Sequence, residues 1–202
     1  MGNLLMRRRE LILPGGAEET WDYEWVSHDD GYPSDNGWAM SKNGTASVAL
    51  TDYYTRIRAS TSGSYLRYTY PQTYTSGVME VLAKLGTSGN CNMVFVLGNG
   101  TNGIGIRLQY STNYKGIYLL DDTAIASMTK LQTSSLDTLY TFRFVLNGGF
   151  GDVYIDGVKV ASSVDITTLV GADGETRVQG GASGNALVPT YLREIRMKFG
   201  RV

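Results

Sequence analysis

From about residue 17 to the end, apolar and polar side chains trade places every second residue. Helical spacing is offered only by the first residues of the chain and by the short stretch Ile166 to Val170. A period of two sends successive side chains to opposite faces of a strand, so such a chain buries its apolar half by laying one sheet on another. The alternation is clearest over Tyr140-Thr141-Phe142-Arg143-Phe144-Val145-Leu146 and over Gly77 to Leu85, where Met79, Val81, Ala83 and Leu85 share one face with Glu80, Leu82 and Lys84 on the other.

Further runs cover Thr45 to Leu50, Tyr54 to Ala59, Ser64 to Tyr70, Ile104 to Tyr110, Gly116 to Leu120 and Leu192 to Phe199. Met93 to Leu97 is continuously apolar, as a strand covered on both faces is. Asp152 to Ile155 and Val158 to Ala161 flank Asp156-Gly157, a two-residue hairpin turn. Ten or eleven strands at spacings of about 8–12 residues predict an all-β, antiparallel two-sheet sandwich or jelly roll.

Composition agrees and removes several function classes. The chain has 202 residues, with 25 Gly, 14 Tyr and 4 Pro, and 18% of its residues are charged. That profile favours sheet over helix. A chain of 22.1 kDa buries about 70% of its extended surface, enough for one core without covalent staples. Cys91 is the one cysteine, which excludes an intrachain disulfide and a cysteine-cluster metal site. His28 is the one histidine, which excludes chemistry needing two imidazoles. With 18 basic against 19 acidic side chains there is no broad nucleic-acid footprint.

Residues 1–16 read as a tail set off by Pro14-Gly15-Gly16. Arg7, Arg8 and Arg9 divide two short apolar clusters, so the order of a secretory signal is missing, and no run is long enough to span a bilayer. Residue 6 is Met rather than Ser or Thr, which argues against myristoylation at Gly2. Leu4, Leu5, Arg7, Arg8, Arg9, Leu11 and Ile12 suit either a solvated end or a peptide that docks the domain, residues 17–202, onto other structural proteins.

The stretch LYTFRFVLNGGFGDVYIDGVKVA, Leu139 to Ala161, resembles the strand, Gly turn and Asp-Gly hairpin of concanavalin A-like lectin/glucanase domains, the superfamily that includes laminin G-like modules. SGVMEVLAKL with NMVFVLGNG is similar to the preceding strand pair, and YLREIRMKFG to the returning last strand. The resemblance runs from Trp21 to the end and implies a jelly roll, a fold that hosts lectins, enzymes and structural modules alike. Separately, LLMRRRELI resembles short leaders of bacteriophage and prophage structural proteins.

Glucanases of this kind carry a Glu-x-Asp-x-x-Glu run on a strand of the concave sheet. Alternate strand residues there set two carboxylates about 5–5.5 Å apart for retaining hydrolysis. The matching strand here, Ile104 to Tyr110, offers Gly105, Arg107 and Gln109 to the cleft, none of them acidic. The expectation is therefore a non-catalytic module that binds carbohydrate.

A sugar needs an aromatic platform and polar groups for its hydroxyls. Trp25, Asp29, Asp30, Tyr32 and Trp38 interleave in one stretch, although both tryptophans suit plugging an end of the sandwich equally. Arg107, Gln109, Tyr110, Tyr114 and Tyr118 form a second set, with ordinary cross-strand packing as the alternative for the tyrosines. Asp29, Asp30 and Asp35 are the residues open to a Ca2+ ion, at a spacing that matches no fixed motif.

The expected setting is the surface of a virion, or a cell surface or extracellular space, with the chain displayed as a homo-oligomer and with a glycan or cell-surface polysaccharide as partner. Two rival readings stand beside it. One is a divergent glycoside hydrolase or lyase using Glu80, and the other is a purely structural protein without a sugar ligand.

Overall fold

A computed structural model describes residues 20–87, 89–121, 124–169, 174–182 and 188–200. Among them the chain forms fifteen strands: β1 (Tyr23–Val26), β2 (Ala39–Asn43), β3 (Ser47–Leu50), β4 (Thr55–Ala59), β5 (Tyr65–Tyr70), β6 (Ser76–Leu85), β7 (Cys91–Gly98), β8 (Gly103–Tyr110), β9 (Lys115–Leu119), β10 (Lys130–Gln132), β11 (Tyr140–Asn147), β12 (Phe150–Ile155), β13 (Val158–Asp165), β14 (Thr176–Ala182) and β15 (Val188–Phe199). One helical turn, α1 (Ser27–Asp30), follows β1.

The strands build two antiparallel sheets. One runs β13-β12-β11-β6-β15-β4-β3, with β1 added beside β15, and the other runs β10-β9-β8-β7-β14-β5-β2. Their apolar faces meet as alternation requires. Met79, Val81, Ala83, Leu85, Phe142, Phe144 and Leu146 of the first sheet and Met93, Phe95, Leu97, Ile104, Ile106, Leu108 and Val178 of the second are all buried in one core. The Phe95 and Phe142 rings stack across it at 5.2 Å. Burying side chains of this size stabilises by about 1.5–3 kcal/mol each, which is what holds the layers together.

The structure is the antiparallel sandwich that the alternation predicts, with four strands that it did not. β1, β2 and β10 are short, at four, five and three residues. β14 is central to its sheet, yet its sequence TRVQGGA breaks the apolar pattern with two glycines. Gly180 faces the opposing sheet, where a Cβ would stand 2.4 Å from Thr190 Oγ1. That position must be glycine if the layers are to approach so closely. Ile166 to Val170, expected as a helix, yields only a 3-10 turn at Ile166–Thr168 among the described residues.

Across β1, β15, β6 and β11 the outer face of the eight-stranded sheet carries a ladder of paired charges. Register sets Glu24 beside Arg196, Arg196 beside Glu80 and Glu80 beside Arg143. The corresponding N–O distances are 3.1, 3.7 and 3.6 Å. The Trp21 ring covers the far guanidinium, its centroid 5.7 Å from Arg143 Cζ.

Candidate binding groove

On the seven-stranded sheet, the side chains pointing away from the core form two rows. Strand register aligns Arg67, Gln179, Val94, Arg107 and Tyr118 in the first. It aligns Tyr65, Gly181, Asn92, Gln109 and Gly116 in the second. Gly181 puts a gap between Tyr65 and Asn92, and a Cβ there would lie 2.8 Å from the Ser64 carbonyl oxygen. A groove of about 550 Å³ opens over the second row.

Its floor is Asn92, Gln109, Gln179 and Arg107, with Val94 among them; its walls are the Ser62–Tyr65 turn on one side and the loop from Ser111 to Tyr114 on the other. That loop is fixed from within. Ser111 N–H donates to the Tyr114 carbonyl at 2.8 Å, and Tyr114 N–H donates to Ser111 Oγ at 3.1 Å. Thr112 N–H donates to Asn90 Oδ1 at 3.2 Å, tying it to the start of β7. Amides, hydroxyls and two tyrosines thus line one concavity, and none of the described residues lining it is Asp or Glu.

Arg107 is held in the floor by its Nε–H, which donates to Gln109 Oε1 at 3.0 Å. Its register neighbours are Val94 and Tyr118, so it stands between an aliphatic and an aromatic side chain. Burial pushes its pKa below the ordinary guanidinium range. Beyond Tyr114 the same face is dry. Val94, Val96, Tyr118, Leu120 and Met128 form a small apolar cluster there, with Tyr114 and Ile125 packed on its edge.

Of the residues expected from sequence, the fold gathers Arg107, Gln109 and Tyr114 in the groove. Tyr118 shares the face but is buried in the apolar cluster. Tyr110 points the other way, because it shares the parity of Ile106 and Leu108, and it packs against the main core with Lys115 Nζ 5.1 Å from its ring centroid.

Trp25 and Trp38 are corrected outright. They are 0% and 2% exposed and belong to the core, so neither offers a ring face to a ligand. Trp25 Nε1 donates to the Gly31 carbonyl at 3.1 Å, and Trp38 packs on Tyr70 at 5.2 Å. Tyr32, Asp30 and Asp35 shape the loop between them: Asp30 accepts from Val26 N–H at 2.7 Å and Asp35 from Tyr32 N–H at 3.1 Å. Asp29 is exposed and contacts His28 Nδ1 at 2.8 Å.

Those acids are engaged one by one, and no cluster of three or more metal-ligating side chains occurs among the described residues. The tail residues Leu4, Leu5, Arg7, Arg8, Arg9, Leu11 and Ile12 lie outside the described residues. Glu80 is buried on the opposite sheet between Arg143 and Arg196. Sequence reasoning missed Tyr65, Asn90, Asn92 and Gln179. For Asn92 the signal was present, since it takes the outward parity that Val94 and Val96 continue.

No protein-family model matches the chain, and no curated protein matches it. Solved structures do match in fold. The carbohydrate recognition domain of Emp46p in its metal-free form superposes with a TM-score of 0.63 at 12% identity, covering 91% of this chain and 100% of that one. A carbohydrate esterase from the Shiga toxin-encoding bacteriophage phi24B gives 0.61 at 15% identity, covering 90% of this chain and 99% of that one. A sialidase gives 0.62 at 10% identity; the match covers 88% of this chain and 18% of the sialidase. At such identities the likeness is one of fold, and that fold is the lectin-like jelly-roll sandwich.

Proposed function

We propose that the groove on the seven-stranded sheet binds carbohydrate without breaking it, and that the chain is a lectin-type adhesion module carried on a larger assembly such as a virion surface. One observation carries the reading. The groove combines Asn92, Gln109, Asn90 and Gln179 with hydroxyl-bearing walls and with Tyr65 and Tyr114, and none of its described lining residues is a carboxylate. Amides both donate and accept, which suits the mixed demand of sugar hydroxyls, while tyrosine gives apolar ring faces a surface to lie on.

Hydrolysis by an acid pair calls for two carboxyl groups about 5–5.5 Å apart, or somewhat farther for inversion, at the bound sugar. The described lining residues offer neither member, which supports binding over cleavage. The recognition domain among the structures of like fold supports the ligand class, and the esterase's bacteriophage source is what speaks for a phage setting.

A glycan array probed with the full chain, followed by a reducing-sugar assay on the best ligands, tests both halves. Hits without sugar release are expected. Sugar release that survives purification would favour the enzymatic reading. An array with no hits would leave a structural protein as the better account.

A further inference from the structure

The groove contains one cationic side chain and no counter-charge among the described residues. Arg107 lines it, with Nε spent on Gln109. The other guanidiniums of the face are matched: Arg67 Nη1 lies 3.4 Å, and Arg177 Nη1 3.9 Å, from Glu175 Oε2. The opposite sheet pairs Arg196 and Arg143 with Glu24 and Glu80. The chain has 19 acidic side chains, and among the described residues none pairs with Arg107.

The setting sharpens the contrast. A half-buried guanidinium beside Val94 and Tyr118 has lost part of its hydration, and it regains that energy when an anion is brought to it. With Nε occupied, the Nη edge remains as a two-pronged donor, the geometry that takes both oxygens of a carboxylate. Asn92 and Gln109 lie one register row away, within the span of a sugar ring that carries both a carboxylate and hydroxyls.

We propose that the groove selects acidic saccharides, with the carboxylate of a uronic-acid residue seated on the Nη edge of Arg107. This rests on the carbohydrate reading above and specifies the ligand class for the same site.

Titration calorimetry of the full chain with short oligomers of a hexuronic acid, and with the same oligomers after reduction of their carboxyls to primary alcohols, tests it. The acidic oligomer is expected to bind about 10- to 100-fold more tightly than its neutral twin, the range of one charge-assisted hydrogen-bonded pair. Arg107→Gln should bring the acidic-over-neutral ratio close to one, and because it also releases Gln109 Oε1 the readout is that ratio and not the affinity for the neutral oligomer. Lys42→Gln removes the same charge from an exposed edge strand and should change nothing. If Arg107→Gln does not fold, the native chain decides: raising NaCl from 50 to 500 mM should weaken the acidic probe alone. Equal or tighter binding of the neutral oligomer, a preference that survives Arg107→Gln, or a salt-insensitive preference overturns the selectivity and leaves the carbohydrate reading intact. No binding of either oligomer, together with an empty glycan array, overturns both.

Discussion

On the outer face of the eight-stranded sheet, Glu24, Arg196, Glu80 and Arg143 follow one another across four strands with their charges alternating and Trp21 as a lid. On the outer face of the seven-stranded sheet the comparable row runs Arg67, Gln179, Val94, Arg107 and Tyr118. There Arg107 has an amide for a neighbour where Arg143 and Arg196 have carboxylates. The backbone scaffold is the same, with antiparallel strands offering alternate residues outward. What differs is whether the outward side chains satisfy each other. A row that satisfies itself belongs to stability, while one left partly unmatched beside the groove can meet something else.

The comparison breaks most visibly if the two faces respond alike to mutation. Glu80→Ala leaves Arg143 and Arg196 without their shared carboxylate and should cost about 3 kcal/mol, read as a lower urea midpoint; saccharide affinity should not change. A loss near zero would show that the ladder contributes little. Tyr65→Ala and Asn92→Ala test the other face, each expected to weaken saccharide binding about tenfold, or about 1.4 kcal/mol, while moving the urea midpoint less than Glu80→Ala does. Variants that unfold the chain yet bind normally at low temperature would reverse the assignment of the two faces.

The smallest effect concerns pH. Glu194 packs beside the ladder, and burial, partly offset by Arg196 and reinforced by Glu24, pushes its pKa up. A carboxyl raised in the folded state contributes stability that is present below its unfolded pKa and lost as pH rises through the folded one. The native chain should therefore gain on Glu194→Gln as pH falls from 7 to 4. Urea midpoints at three pH values check this, and a gap that is constant or widens in the opposite sense would count against it.

Much of this architecture was legible in the residues because alternation and burial are the same fact seen twice. Phe142, Phe144, Met79 and Val81 announce their side of the sheet, and Arg107 and Gln109 announce the other. What stayed hidden had a local cause. β14 escaped because Gly180 and Gly181 serve close packing instead of adding apolar side chains. Asn92 escaped because it precedes a run in which even the outward residues, Val94 and Val96, are apolar. Trp25 and Trp38 could not be placed, since a tryptophan beside acids reads alike whether its ring is wrapped by the core or laid open. Tyr110 faces the core and not the groove, as its parity with Leu108 dictates.

On the adhesion reading proposed above, the seating of Trp21 against Arg143 has a consequence for how the chain would bear load. The described chain enters over the back of the sandwich, and the groove opens at the front. A tether attached upstream of that tryptophan would hold the module by its rear, leaving its grip facing outward, and tension between anchor and ligand would pass through the full thickness of both layers.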